Sequence, residues 1–175
     1  MAVRTSKEVV DSIFGSIGSE GSKPEAVKTL EMLTVRDVME RRFIALNPQT
    51  TIMEAVEVFT EKGIESAPIV QDGVLKGILT NQDIIKLFEE KSIELSQHRH
   101  KATNYEKEFR ALGGKKVGEI VRHKVFVFPN TTIFDAMTVL DENNMEAIVV
   151  VDETGKVQGV VKDSDMLKII MKVLV

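Results

Sequence analysis

Apolar residues along this chain recur in two rhythms, and the order of the rhythms repeats. Ile52, Ala55, Val56 and Phe59 fall at helical spacing behind Thr51-x-x-Glu54, a capping box in which each residue satisfies a backbone donor of the other. Gly63 follows in the position that stops such a helix. Ala67–Gln71 and Val74–Leu79 read as two strands around Asp72-Gly73, the strongest short hairpin signal. A second helix follows from Asn81 to Glu90. Together with the short apolar stretch Arg42–Leu46, ended by Asn47-Pro48, the order is strand, helix, strand, strand, helix.

The second half copies that order. Val125–Phe128 is the first strand, and Thr132–Asn144 is the helix, with Ile133, Ala136, Met137 and Leu140 on its apolar stripe. Ala147–Val151 and Lys156–Val161 form a hairpin around Thr154-Gly155, and Asp163–Val173 is the closing helix. The run Ala147–Val151 is continuously apolar, as a strand covered on both faces must be.

The copy is legible residue by residue. Thr-Ile-Met-Glu-Ala at 51–55 returns as Thr-Ile-Phe-Asp-Ala at 132–136, an offset of 81. Gly77–Ile84 returns as Gly159–Met166, and Val35–Met39 returns as Val117–Val121, both at an offset of 82. Two units of about 60 residues, each too small to bury a good core alone, are expected to pack on each other and leave a cleft between them. The expected organisation is an N-terminal amphipathic helix and Gly/Ser linker at 1–22, a first repeat with its lead-in helix at 23–90, a polar insert at 91–115 and a second repeat at 116–175. Val9, Val10, Ile13, Phe14 and Ile17 carry the stripe of the N-terminal helix, and Pro24 suits the first turn of the lead-in helix Pro24–Met32. The insert either continues the helix from Asn81 or loops out.

Composition narrows the chemistry. The 175 residues are 43% hydrophobic and 29% charged, as in an ordinary globular protein. A net charge of −4 supplies no global basic field for nucleic acid. The absence of cysteine removes disulfides, thiolate catalysis and cysteine-based zinc sites. Neither a signal core nor a bilayer-length apolar run is present, so a cytoplasmic location without membrane attachment is expected. No Ser-His-Asp order, HExxH, P-loop or GxGxxG occurs, and no catalytic residue is assigned. His98 and His100 point apart at i, i+2 on a helix, so no metal site is assigned either.

The opening Val-x-Asp-Val-Met at Val35, the helix start Thr-Ile-x-Glu-Ala at Thr51, the strand Gly-Ile-x-x-x-Pro-Ile-Val at Gly63 and the close Gly-Ile-Leu-Thr-x-x-Asp-Ile at Gly77 resemble a CBS motif. Two such motifs in tandem look like a CBS pair, or Bateman module, over roughly 33–175. The resemblance implies an α+β fold of two β-α-β-β-α motifs related by a pseudo-twofold axis, here with an extra N-terminal helical segment. It implies an adenosine-containing ligand in clefts between the motifs, a sensor role and a disc-like homodimer. AMP leads the ligands, with ADP, ATP, S-adenosylmethionine and NAD behind it. No cofactor is implied.

The resemblance also names residues. Thr80 and Asp83 occupy its Thr-x-x-Asp, with the carboxylate on the ribose hydroxyls and the threonine near a phosphate. The same two residues equally make an N-cap with its N3 partner. Asp165 matches in the second repeat. Lys162 departs from the pattern, either as a point charge for a phosphate or as a solvated lysine ending a strand while Asp163 caps. Ile64, Ser66, Ala67 and Pro68, and their counterparts Met145, Glu146 and Ala147, would hold the adenine, although core packing explains Ile64 as well. Arg42 and Lys124, with neighbours Arg41, Arg122 and His123, lie just before the first strands and would supply phosphate charge, or else form solvated basic turns. Relatives that sense nucleotides carry His-Arg near Glu65-Ser66. Its absence here weakens the case for a di- or triphosphate.

The alternative is a structural dimerisation module with empty clefts, working through its N-terminal helix on an unknown protein target. A weaker third reading, nucleic-acid binding through the basic stretch Arg99–Lys116, is opposed by the acidic total and the lack of interleaved aromatics.

Overall fold

In the computed structural model, residues 25–97, 104–121 and 124–174 are described. The expected N-terminal helix at Val9–Ile17, its linker, Pro24, His98–Lys101, Arg122 and His123 lie outside the described residues. In chain order the elements are α1 (Glu25–Met32), α2 (Val35–Val38), α3 (Ile52–Lys62), β1 (Ser66–Gln71), β2 (Val74–Thr80), α4 (Asn81–Gln97), α5 (Tyr105–Gly113), α6 (Val117–Ile120), β3 (Phe126–Val127), α7 (Ile133–Asn143), β4 (Ala147–Val151), β5 (Val157–Lys162) and α8 (Asp163–Leu174). No helix among the described residues is long and apolar enough to cross a membrane.

The chain divides into two compact units. Of the described residues, those within 44–125 form a central unit, and those up to 43 join those from 126 onward in a terminal unit. In the central unit β1 and β2 pair antiparallel. Asp72 (φ 54°) and Gly73 (φ 78°) turn the hairpin with two positive φ angles, the reason that dipeptide is favoured there. The first strand expected at Arg42–Leu46 shrinks to one parallel bridge, Leu46 to Ile69, held by Leu46 N–H to Pro68 O (2.9 Å) and Val70 N–H to Leu46 O (2.9 Å). Its copy in the terminal unit is the two-residue β3, parallel to β4, with β5 antiparallel on the other side of β4. β4 is buried along nearly its whole length, as its unbroken apolar run requires.

The helix starts follow their capping residues. Thr51 N–H donates to Glu54 Oε2 (2.7 Å) while Glu54 N–H donates back to Thr51 Oγ1 (3.2 Å), and Gly63 ends α3 at φ 61°. Asp135 N–H donates to Thr132 Oγ1 (3.1 Å) in the copy, and Asn144 takes the left-handed position at φ 52°.

The described residues of 91–115 form two helical pieces. α4 continues to Gln97, and α5, capped by Asn104, packs beside it through stacked Phe88 and Phe109 rings with centroids 5.7 Å apart. Lys91 Nζ ties the pair to Glu108 (3.1 Å) and to Glu94 (3.2 Å), and these two carboxylates hold the lysine pKa above its ordinary value. Leu112 of α5 is buried in the central core. Leu30 of α1, its counterpart at an offset of 82, is buried against Phe134 in the terminal unit. α5 is therefore the lead-in helix of the second repeat, matching α1.

Each lead-in segment docks on the helix of the other repeat. In the terminal unit Val35 N–H donates to Thr131 O (2.8 Å), Arg36 N–H to Pro129 O (2.9 Å) and Ile133 N–H to Leu33 O (3.1 Å). In the central unit Val117 N–H donates to Thr50 O (2.8 Å), Gly118 N–H to Pro48 O (3.0 Å) and Ile52 N–H to Lys115 O (3.0 Å). The two sets are the same bonds with the repeats exchanged. The compact units are thus not the sequence repeats.

Beyond α2 the first lead-in segment bridges β5, with Glu40 N–H to Val160 O (2.8 Å) and Val160 N–H to Glu40 O (3.0 Å). A Cβ on Gly159 would lie 2.7 Å from Glu40 O and 3.3 Å from Met39 Sδ, so only glycine lets the backbones approach. Gly159→Ala is expected to lower the urea-unfolding free energy by about 1–3 kcal/mol by forcing that bridge apart. A second expectation concerns acid. The Thr51 backbone N–H, then its hydroxyl, hold the Glu54 carboxyl below its ordinary value. Its contribution is present above the ordinary carboxylate pKa and is lost as pH falls through the lowered folded value. The difference in Tm between wild type and Glu54→Gln should shrink on acidification, as read in thermal melts across pH.

Candidate functional site

Each unit has one corner where a strand begins, its hairpin partner ends and the closing helix starts. In the central unit Ser66 opens β1 opposite Thr80, the last residue of β2. Asn81 N–H, the first of α4, donates to Glu65 O (2.8 Å). In the terminal unit Ala147 opens β4 opposite Lys162, and Asp163 N–H donates to Glu146 O (2.9 Å). Strand entry and helix entry, separated by about 15 residues of hairpin, are thereby locked together in both copies.

At the central corner Thr80 and Asp83 bond to each other. Thr80 N–H and Oγ1–H both donate to Asp83 Oδ2 (2.9 and 2.7 Å), and Asp83 N–H donates to Thr80 Oγ1 (3.1 Å). The cap foreseen as the plain reading of this pair is present. It consumes one carboxylate oxygen only: among the described residues Oδ1 of Asp83 takes no hydrogen bond. The pair is half-buried, so that oxygen faces a partly desolvated corner. Acceptors of this kind at a helix start suit a ligand's hydroxyl groups.

The terminal corner keeps the plan and changes the charge. Lys162 is exposed at the end of β5, and its Nζ lies 3.6 Å from Glu40 Oε2. Asp165, half-buried, accepts from Lys168 Nζ at Oδ1 (3.0 Å), while its Oδ2 takes no hydrogen bond among the described residues. Asp163 turns its own carboxylate onto the Ser164 N–H. Glu40, which sequence patterning did not single out, therefore belongs to this corner. The signal was available at the offset of 82, where Glu40 aligns with Arg122, a reversal of charge between the repeats.

The remaining candidates are distributed as follows. Ile64 is half-buried and packs on the central core, and Met145 is half-buried with its N–H on Leu140 O (3.0 Å). Ser66 and Ala147 are half-buried and Glu146 is exposed, whereas Ala67 and Pro68 are buried. What Ala67 and Pro68 can offer a ligand is backbone, and the Pro68 carbonyl already accepts from Leu46. Arg42 and Lys124 are exposed. Each sits at a crossing of the chain between units, so Arg42 shares a unit with Lys162 and Asp165, and Lys124 with Thr80 and Asp83. No group of three metal-ligating side chains occurs among the described residues.

This asymmetry should register in stability. Thr80→Ala removes a cap and should cost about 1 kcal/mol. Lys162→Ala, at an exposed position, should stay within about 0.5 kcal/mol of wild type. Equilibrium denaturation of the two variants reads the difference.

Comparison with known proteins agrees with the repeat. The family model described as CBS domain matches residues 35–90 and 117–172. The uncharacterized protein MJ1232 of Methanocaldococcus jannaschii is 28% identical over 145 residues, covering 82% of this chain but 42% of that protein, so this chain spans less than half of that relative. CBSX2, solved in complex with AMP and known also from a structure of the Arabidopsis thaliana protein, superposes with a TM-score of 0.64 at 22% identity, over 82% of this chain and 99% of that one. The CBS domain pair of MJ0100, solved with 5′-methylthioadenosine and S-adenosyl-L-methionine, superposes with a TM-score of 0.60 at 22% identity, over 81% and 98%. At these identities the two superpositions show the fold.

Proposed function

The chain belongs to the CBS domain family, and from that premise we propose that it is a regulatory module whose two corners bind an adenosine-containing ligand, AMP before ADP, ATP, S-adenosylmethionine or NAD. The observation that carries this reading is the carboxylate at each closing-helix start, Asp83 and Asp165, with one oxygen left uncommitted. Two vicinal ribose hydroxyls can both donate to such a group. Ile64 and Met145, half-buried beside the strand entries, offer an apolar face to a purine, and the Ser66–Ala67 and Glu146–Ala147 segments offer backbone to its edge, with Pro68 packed behind them. The adenosyl ligands named in the structures of CBSX2 and of the MJ0100 pair support the ligand class. The module's work is regulatory rather than catalytic: a ligand preferring one arrangement of the protein shifts the population toward it, and a protein target in the cytoplasm reads the shift.

Exposed apolar residues favour an accompanying role as a homodimer. Met53, Val56 and Ile85 are exposed on the central unit, and Leu167 and Met171 on the terminal one. Ile85 and Leu167 are counterparts at an offset of 82, so the repeats expose the same helical position. A second copy of the chain would cover these faces. Should the corners stay empty, this association would be the module's whole function.

Calorimetric titration with AMP, then ATP, S-adenosylmethionine and NAD, is the test. AMP is expected to bind saturably, and Asp83→Ala and Asp165→Ala each to weaken binding at their own corner by about tenfold or more, with circular dichroism showing a retained fold. Wild-type affinity in both single variants and in the double variant would remove these residues from the site. Absence of heat from every ligand would leave the dimerisation role. In sedimentation equilibrium the Ile85→Glu/Leu167→Glu variant should lose the dimer mass.

A further inference from the structure

The two corners follow one plan and differ in charge: Lys162 and Asp163 stand in one where Thr80 and Asn81 stand in the other. Thr80 in the central corner has its hydroxyl engaged on both sides, donating to Asp83 and accepting from its N–H. Lys162 cannot enter that arrangement. Asp165 has turned instead to Lys168, and the ammonium of Lys162 has found Glu40. At 3.6 Å the contact is longer than a hydrogen bond, and the two side chains are 46% and 50% exposed. Water screens such a pair, and it holds weakly. The backbone of Glu40, by contrast, is fixed. It is bonded in both directions to Val160, two residues before Lys162, across the close approach that Gly159 permits. Glu40 is thus a carboxylate delivered to Lys162 by a rigid bridge and held there by a soft contact.

The surroundings say what could replace it. Asp163 and Asp165 stand in the first turn of α8, where the central corner has only Asp83 in the first turn of α4. With Glu40 they make the terminal corner hostile to an anion unless a cation offsets them. Lys168 already offsets Asp165, and Lys162 is the cation at the strand end that faces Glu40, with exposed Arg42 in the same unit. A phosphate monoester carries a charge of roughly −1.5 to −2 at neutral pH, against −1 for a carboxylate, and offers three acceptor oxygens. It is the stronger partner for a flexible point charge.

Resting on the adenosine-ligand reading above, we propose that Lys162 makes the terminal corner selective for a ligand bearing a phosphate, and that Glu40 is its resident counter-ion, displaced when the phosphate arrives. The central corner, with a neutral threonine at the equivalent position, lacks this exchange. Glu40 acts through Lys162 and is a positioning residue.

The test compares AMP with adenosine in an Asp83→Ala background, which leaves the terminal corner to be read. Lys162→Thr, the residue of the other repeat, is expected to weaken AMP by about tenfold and to leave adenosine within about twofold. Glu40→Gln is expected to tighten AMP several-fold, roughly the loss of one weak competing contact, and again to spare adenosine. The AMP affinity should fall with added salt more steeply in the parent than in Lys162→Thr. Equal losses for AMP and adenosine, no loss in Lys162→Thr, or weaker AMP binding in Glu40→Gln would each overturn the inference while leaving the corner as an adenosine site. If neither compound binds the wild-type protein, the reading beneath it falls, and this inference with it.

Discussion

The structure depends on one set of backbone hydrogen bonds made twice. Leu33–Arg36 clasps Pro129–Ile133, and Lys115–Gly118 clasps Pro48–Ile52. One bond in each set, from the Ile133 or Ile52 N–H, satisfies a donor at the N-terminal end of α7 or α3, where unpaired donors are otherwise costly, and the others tie the lead-in N–H groups to the carbonyls before the helix. The closing segment comes each time from the other repeat. A unit of some 60 residues is short of core on its own, and the exchange supplies each with a buried leucine, Leu30 or Leu112, and a buried valine, Val35 or Val117. The candidate corners are built on elements that this exchange holds in place.

Much of this was legible in the chain, because the physics involved is local. The capping box at Thr51, the cap at Thr132, the left-handed stop at Gly63 and the Asp72-Gly73 turn are each decided by residues within four positions of one another. What was not legible depends on distant residues. Arg42–Leu46 reads as a strand, yet only Leu46 pairs, because a parallel neighbour across a long connection decides how many residues join. The lead-in helix Tyr105–Gly113 hid in a polar stretch, since Leu112 is the one strongly buried apolar residue its surface contributes. Its alignment with Leu30 was present at the offset of 82, but the flanking residues are too different to announce it.

The candidate corners divide along the same line. Thr80 with Asp83 follows from spacing, and so does the entry of α8 at Asp163. The pairing of Lys162 with Glu40 does not, because the two residues lie more than a hundred positions apart and meet only through the bridge at Val160. Exchange of the lead-in segments also reassigns Arg42 and Lys124. Each stands in sequence before its own repeat's first strand and falls in the compact unit that holds the other repeat's corner. A motif read along one repeat therefore misses Glu40 at the terminal corner.

The exchange also sets an order in time. Residues 44–125 are contiguous, so everything the central unit needs has left the ribosome by the time Val125 emerges. The terminal unit is discontinuous. Val35 needs the carbonyl of Thr131, about 95 residues later, which at roughly 5–20 residues per second is a wait on the order of 5–20 s. During that interval Leu30, Leu33 and Val35 have been made and their covering helix has not. A nascent chain of this architecture carries an apolar lead-in segment uncovered while its middle completes, and a chaperone or a sister chain that meets it then finds the surface that α7 and α8 will later bury.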